Sequence, residues 1–276
     1  DRFNCSLEKV KYKGRSVKLP SDHHKYKMLS VKDIVIKSSN RGAALMGMMV
    51  GENKMYEYAR AFGFGTRTNL GLSGEVSGIL HPVKKWDGLT ITRLPMGHAI
   101  GVTAMQIHNA MAVIANHGVL MKPTVFKQVF DDSNRPIIAF SPKVKHRVVS
   151  TITADAMVDM LKEVTKEGGT ASMAGIKGFE VAGKTGTTQK IINGRYSKNH
   201  HVASFIGFLP ANDPRIVITV IVDDANSRGI AYGGSIAGPS FKNIAKQVIR
   251  HMGILPSPSP VQSIAANQTS ITPPGL

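Results

Sequence analysis

Two short clusters in this 276-residue chain carry side chains that could do chemistry together: Ser38-Ser39-Asn40 and Lys184-Thr185-Gly186-Thr187. Between them they offer hydroxyls, an amide and an ammonium, the donors and acceptors that move protons or hold anions. Each is weak evidence alone. Ser and Asn cap helices by satisfying free backbone amides, and Lys-Thr-Gly-Thr could be no more than a strand running into a turn. Order and context give them weight. The Ser-x-Asn comes just before an apolar segment, Ala43 through Val50, and the Lys-Thr-Gly opens the strand Val181-Ala182-Gly183-Lys184, which is followed by a hairpin and a terminal helix.

The elements that must position these clusters follow from spacing. Phe3 to Lys27 alternates around Gly14, predicting a short hairpin and then a loop carrying His23-His24. The run from Ala43 to Val50 is apolar all round, which predicts a helix buried in the domain, with Met46, Met48 and Met49 as core filler. Glu52 to Phe62 predicts a second helix, ended by Gly63 and Gly65, and Gly71 to Trp86 reads as irregular. Thr103 caps a helix with Ile107, Met111 and Ile114 on one stripe, stopped by Asn116-His117-Gly118. Another begins at Thr153, with Ala154, Met157, Val158, Leu161 and Val164 at spacings of three and four, before Gly168-Gly169. Strands are expected over Phe179–Gln189, Val202–Leu209 and Ile216–Val222, the last covered on both faces. Phe241, Ile244, Ala245, Val248, Ile249 and Met252 mark a helix on that sheet, and Pro256 onward reads as a disordered Pro/Ser/Gln/Thr tail. Helices first and sequential antiparallel strands last make this an α+β fold, with one domain over residues 1–255 and a tail over 256–276.

Composition narrows the partners. The formal charge of +17 favours anionic partners. Nucleic acid is not expected among them, because the Arg/Gly/aromatic signatures of RNA-binding modules are missing. The basic residues Lys9, Lys11, Lys13, Arg15 and Lys18 read as a solvated face. No run of eighteen apolar residues occurs, so no segment is expected to span a bilayer. Cys5 is the single cysteine, read as a small buried hydrophobe. The pairs His23-His24 and His200-His201 sit in expected loops without a carboxylate or cysteine set, so neither a metal nor a cofactor is expected.

Together the two clusters resemble the second and third motifs of the penicillin-binding and serine β-lactamase superfamily. Thr68-Asn69-Leu70-Gly71-Leu72, Gly74-Glu75, Ser77-Gly78, Gly101-Val102-Thr103 and Glu167-Gly168-Gly169-Thr170-Ala171 carry the resemblance further. They are similar to the class B penicillin-binding proteins of the septal, penicillin-binding protein 3-like type, over roughly Phe3 to Ile254. The resemblance implies the penicillin-binding/serine β-lactamase-like fold, an antiparallel sheet with helices packed on it. It also implies a D,D-transpeptidase that cross-links peptidoglycan stem peptides through an acyl-enzyme serine and binds β-lactam antibiotics. A serine β-lactamase or β-lactam sensor shares these motifs and is the alternative. By position, Ser38 would relay a proton toward the leaving amine, and Asn40 would hold the substrate amide or the catalytic lysine. Lys184 and Thr185 would orient the substrate's terminal carboxylate, Gly186 would let the backbone approach, and the Thr187 amide would donate to the oxyanion. Divisome proteins are the expected partners, and the expected location is the inner or cytoplasmic membrane, through an N-terminal anchor, with this domain on the periplasmic or extracytoplasmic side.

The match has departures. In the family the nucleophile belongs to a Ser-x-x-Lys motif at the start of a buried helix. Ser6-Leu7-Glu8-Lys9 satisfies the letters but runs into the alternating Val10-Lys11-Tyr12-Lys13-Gly14, so it is not the nucleophile. The true motif is expected upstream of Asp1, and the chain alone is expected to be inactive and not to be acylated by a penicillin. Met96-Gly97-His98-Ala99-Ile100 stands where relatives carry a glycine/aromatic or glycine/glutamine pattern.

Overall fold

A computed structural model describes residues 1–225 and 231–256. The expected tail therefore lies, beyond Pro256, outside the described residues. The chain opens with β1 (Arg2–Asn4), the hairpin β2 (Lys9–Tyr12) and β3 (Arg15–Lys18), and β4 (Met28–Ser30), which returns to pair with β1. Lys13 and Gly14 both adopt positive φ, 48° and 77°, the backbone a two-residue hairpin turn requires. All five basic residues of this hairpin face solvent, and Lys13 reaches Glu52.

Helices follow: α1 (Val31–Lys37), α2 (Asn40–Val50), α3 (Glu52–Ala61), the single turn α4 (Thr90–Arg93) and α5 (Ala104–Ala115). Ser30 and Asp33 close a capping box at the start of α1, a helix that sequence spacing did not suggest. Sequence spacing also overstated the burial of α2. Gly42, Ala44 and Gly47 are its buried residues, Met46 packs half-buried against the cluster of Cys5, Leu29 and Ile34, and Met49 is 63% exposed. The inner face is instead made of small residues that admit close neighbours: a Cβ on Gly47 would lie 2.2 Å from Pro95 Cγ.

Beyond α5 come four short strands that sequence reading did not resolve: β5 (Val119–Lys122), β6 (Gln128–Phe130), β7 (Pro136–Ala139) and β8 (Lys143–Arg147). They pair as β5 with β8 and β6 with β7. Helix α6 (Thr151–Val164) starts two residues before the expected Thr153, because the Ser150 hydroxyl accepts from the Thr153 amide and so caps it.

The central sheet is antiparallel, in the order β11 (Ile216–Asp223), β10 (Arg195–Leu209), β9 (Ala182–Ile192). His200 and His201 lie on β10 rather than in a loop. Helices α5 and α6 cover one face, where Ala182, Phe208 and Val217 meet Met111, Ile114, Val158 and Leu161. The last helix, α7 (Gly233–Met252), covers the other with Phe241, Ala245 and Ile249 against Val181, Phe205, Leu209 and Ile218. Strand β11 is thus contacted on both faces, though Ile221 toward its end is 40% exposed. This helices-on-sheet arrangement is the expected α+β fold. Helix α7 begins well before its first read apolar residue: its start, Gly233-Gly234, has no Cβ to strike the backbone oxygens of Ser204 and Thr170.

Phe205 and Phe241 are fully buried and meet edge to face at 4.8 Å, joining sheet to α7. Truncating Phe241→Ala removes this contact and leaves a cavity, and should cost about 3–5 kcal/mol, read by chemical denaturation.

Candidate active site

Helix α1 ends at Ser38, whose φ of 54° and ψ of 46° place it in the left-handed region. Two residues later α2 begins, capped by Ser39, whose hydroxyl accepts from the Gly42 amide at 2.9 Å. The turn between two helices is therefore what aims Ser38. A serine there is disfavoured by about 1–2 kcal/mol, so the surrounding contacts must hold it.

From the opposite side, Lys184 rises from β9, an edge strand of the central sheet. Its Nζ donates to Ser38 Oγ at 2.8 Å, across 146 residues of sequence, and also to Thr185 O at 3.2 Å and Thr185 Oγ1 at 3.4 Å. Thr185 Oγ1 lies 3.3 Å from Thr170 Oγ1, and Thr187 Oγ1 accepts from the Gly233 amide at 3.0 Å. The start of α7 is thus drawn onto β9 beside the site. Gly186 fits because its Cβ would fall 2.5 Å from Ser204 Oγ.

Ser38, Lys184 and Thr185 are brought together directly, with Gly186 and Thr187 next along β9. Asn40 is held differently: its Nδ2 donates to Ser21 O at 3.2 Å, in the loop between β3 and β4. Ser6 belongs to a turn after β1, where its amide and hydroxyl both donate to Asn4 Oδ1. The His98 ring lies 5.9 Å from that of Tyr196 on β10. The irregular stretch after α3 lines its own shallow concavity, formed by Arg67, Asn69 and Gly71 through Glu75, which contains none of the residues above. Thr170, Gly233 and Asp22 were not singled out from sequence as site residues: Thr170 and Asp22 contribute through loops and Gly233 through the first residue of α7, ahead of its apolar stripe, so none carries a periodic signal.

The electrostatics of the site centre on Lys184. The residue keeps part of its surface in water, but the protein around the ammonium strips its hydration and lowers its pKa from 10.5 to about 8. Among the described residues no carboxylate offsets this. The site is therefore a desolvated cation with hydroxyl neighbours, an arrangement suited to an incoming anion. Among the described residues no group of three His, Cys, Asp or Glu side chains could hold a metal ion.

Because folding lowers this pKa, the folded chain gives up the proton before the unfolded chain does. The cost of burying the ammonium is fully present below about pH 8 and is relieved as pH climbs from about 8 to 10.5, so stability should rise across that window. Side-chain NMR should place the Lys184 titration near 8, and Lys184→Met should remove that part of the pH dependence from denaturation curves.

Comparison with known proteins agrees with this architecture. Residues 3–246 match the family model of the penicillin binding protein transpeptidase domain. The probable peptidoglycan D,D-transpeptidase PenA of Neisseria flavescens is 34% identical over 236 residues, which cover 86% of this chain and 56% of that protein. Stage V sporulation protein D of Bacillus subtilis is also 34% identical, over 83% of this chain and 35% of its own length. The chain thus spans little more than half of the first relative and about a third of the second. Penicillin-binding protein 3 of Mycobacterium tuberculosis, in its complex with ampicillin, superimposes with a TM-score of 0.81 at 31% identity, covering 92% of this chain and 57% of that one. The transpeptidase domain of Burkholderia pseudomallei penicillin-binding protein 3 gives 0.80 at 29% identity, covering 94% and 74%. With the fold, the Ser-x-Asn turn and the Lys-Thr-Gly strand in place, the chain belongs to the penicillin-binding protein transpeptidase domain family.

Proposed function

We propose that this domain serves a peptidoglycan D,D-transpeptidase of septal wall synthesis, seating a stem peptide, or a β-lactam in its place, against β9. The observation that carries this reading is the 2.8 Å hydrogen bond from Lys184 Nζ to Ser38 Oγ, which joins the helical side to the sheet edge. A peptide ending in a free carboxylate finds there a desolvated ammonium and the Thr185 hydroxyl, and a charge-assisted hydrogen bond in such surroundings is about twice as strong as a neutral one. Ser38, whose hydroxyl already accepts from Lys184, relays a proton toward the leaving amine rather than serving as the acylated nucleophile. Asn40 holds the substrate amide or the catalytic lysine, Gly186 keeps β9 approachable, and the Thr187 amide donates to the developing oxyanion. One such donor is worth about 2.7–4 kcal/mol of transition-state stabilisation.

The relatives support the wider assignment. PenA is named a peptidoglycan D,D-transpeptidase, as is the division protein FtsI of Buchnera aphidicola, which is 34% identical over 86% of this chain. On that ground we assign the whole protein to the cytoplasmic membrane, with this domain on its outer side and divisome proteins as partners. None of the described helices is itself long and apolar enough to cross a membrane.

The carboxylate is the discriminating feature. A stem pentapeptide ending in D-Ala-D-Ala should shift the NMR signals of Lys184 and Ser38 at millimolar concentration, and its C-terminal amide should bind at least tenfold more weakly. Raising the pH through about 8 should weaken the acid and leave the amide unchanged. Equal binding of acid and amide, or unaltered binding to Lys184→Ala, would end this reading.

A further inference from the structure

We infer that Asp22 is a positioning residue, a clamp that holds the Ser38-Ser39-Asn40 turn in the one shape from which Ser38 reaches Lys184. The inference deepens the transpeptidase reading and rests on it only for the reaction that the turn serves. The Asp22 carboxylate grips both flanks of Asn40: Ser39 Oγ donates to Oδ2 at 2.8 Å, and the Arg41 amide donates to Oδ1 at 3.1 Å. Asn40 Nδ2 donates to the carbonyl of the preceding residue, Ser21, at 3.2 Å. Arg41 binds back to the same loop and to the turn after β1, Nε to Pro20 O at 3.0 Å and Nη1 to Cys5 O at 3.1 Å.

Capping alone does not call for this carboxylate. Ser39 already caps α2 by accepting from Gly42, just as Ser150 caps α6 by accepting from Thr153, and among the described residues the Ser150 hydroxyl has only the neighbouring Thr153 hydroxyl as a second partner. At Ser39 the hydroxyl is engaged from both sides, donor to Asp22 and acceptor from Gly42, and the residue is only 2% exposed. Its orientation is fixed, and with it the left-handed Ser38 next door. A backbone conformation that costs about 1–2 kcal/mol in isolation persists when its neighbours over-determine it, and Asp22 is the side chain that fastens two of those neighbours at once.

The clamp can be read without any ligand. Asp22→Ala and Asp22→Asn are made in this chain, and two signals are followed by NMR: the Cα and Cβ shifts of Ser38, which report its left-handed backbone, and the titration midpoint of Lys184. In folded Asp22→Ala, Ser38 should leave the left-handed values, and the Lys184 midpoint should climb from about 8 toward the 10.5 of a solvated lysine. Asp22→Asn keeps an acceptor for Ser39 but sets an amide N–H against the Arg41 N–H, so it should move both signals part of the way. Should Asp22→Ala fail to fold, the isosteric Asp22→Asn decides alone. Variants that merely melt earlier, with Ser38 shifts and Lys184 midpoint unchanged in the folded form, would overturn the inference. A D-Ala-D-Ala peptide that leaves Lys184 undisturbed in the unaltered chain would instead remove the transpeptidase reading while the clamp stood.

Discussion

One hydrogen bond joins the two halves of this molecule where chemistry is possible, the 2.8 Å contact between Lys184 Nζ and Ser38 Oγ. Everything around it can be understood as a means of bringing a strand residue and a helix-turn residue, 146 positions apart, to that distance. The strand side is rigid because β9 is laced to β10 and backed by the Phe205–Phe241 contact with α7. The helical side is held by the caps of α1 and α2 and by the loop before β4. Because α5 and α6 pack on the same face of the sheet that Lys184 leaves, the helical half is seated on the sheet by apolar burial, and the polar contact then fixes its register.

The lysine shows how such a site stays receptive. A buried ammonium without a carboxylate is a poor stabiliser of the resting fold, since dehydration is not repaid by an ion pair. That same deficit is what an anionic ligand relieves. Glycine plays the complementary steric part: Gly186 and Gly233 let two backbones and a helix start converge where side chains would collide.

Much of this could be read from sequence, and the exceptions have physical causes. Helices α5 and α6 were legible because Thr103, Ile107, Met111, Val158 and Leu161 repeat at helical spacing next to clear stop signals. The seven residues of α1 are too few for a period to show, and its capping box was passed over. Strands β5 to β8 are short, and the pair β6 and β7 is exposed on both sides, so no alternation separates inside from outside. Met49 was assigned to the core from hydrophobicity alone, although the small residues Gly42, Ala44 and Gly47 mark the buried face of α2. The pairing of position 38 with position 184 followed from motif order, whereas the Asp22 grip on Ser39 and Arg41 joins a loop to a turn and leaves no trace in spacing.

Strand β9 has β10 on one side and, among the described residues, no strand on the other. An uncovered border of peptide groups is a template on which any extended chain can grow a new row, including another molecule of the same protein. A strand with the role proposed for β9 cannot be capped with proline or buried under a loop and still receive a ligand. What remains available is electrical protection: Arg195 stands exposed on β10 beside this strand, while Lys190 on β9 is paired with Asp223 at 2.9 Å. The net charge of +17 adds repulsion between copies of the chain, a general deterrent to fibrous self-stacking at that border.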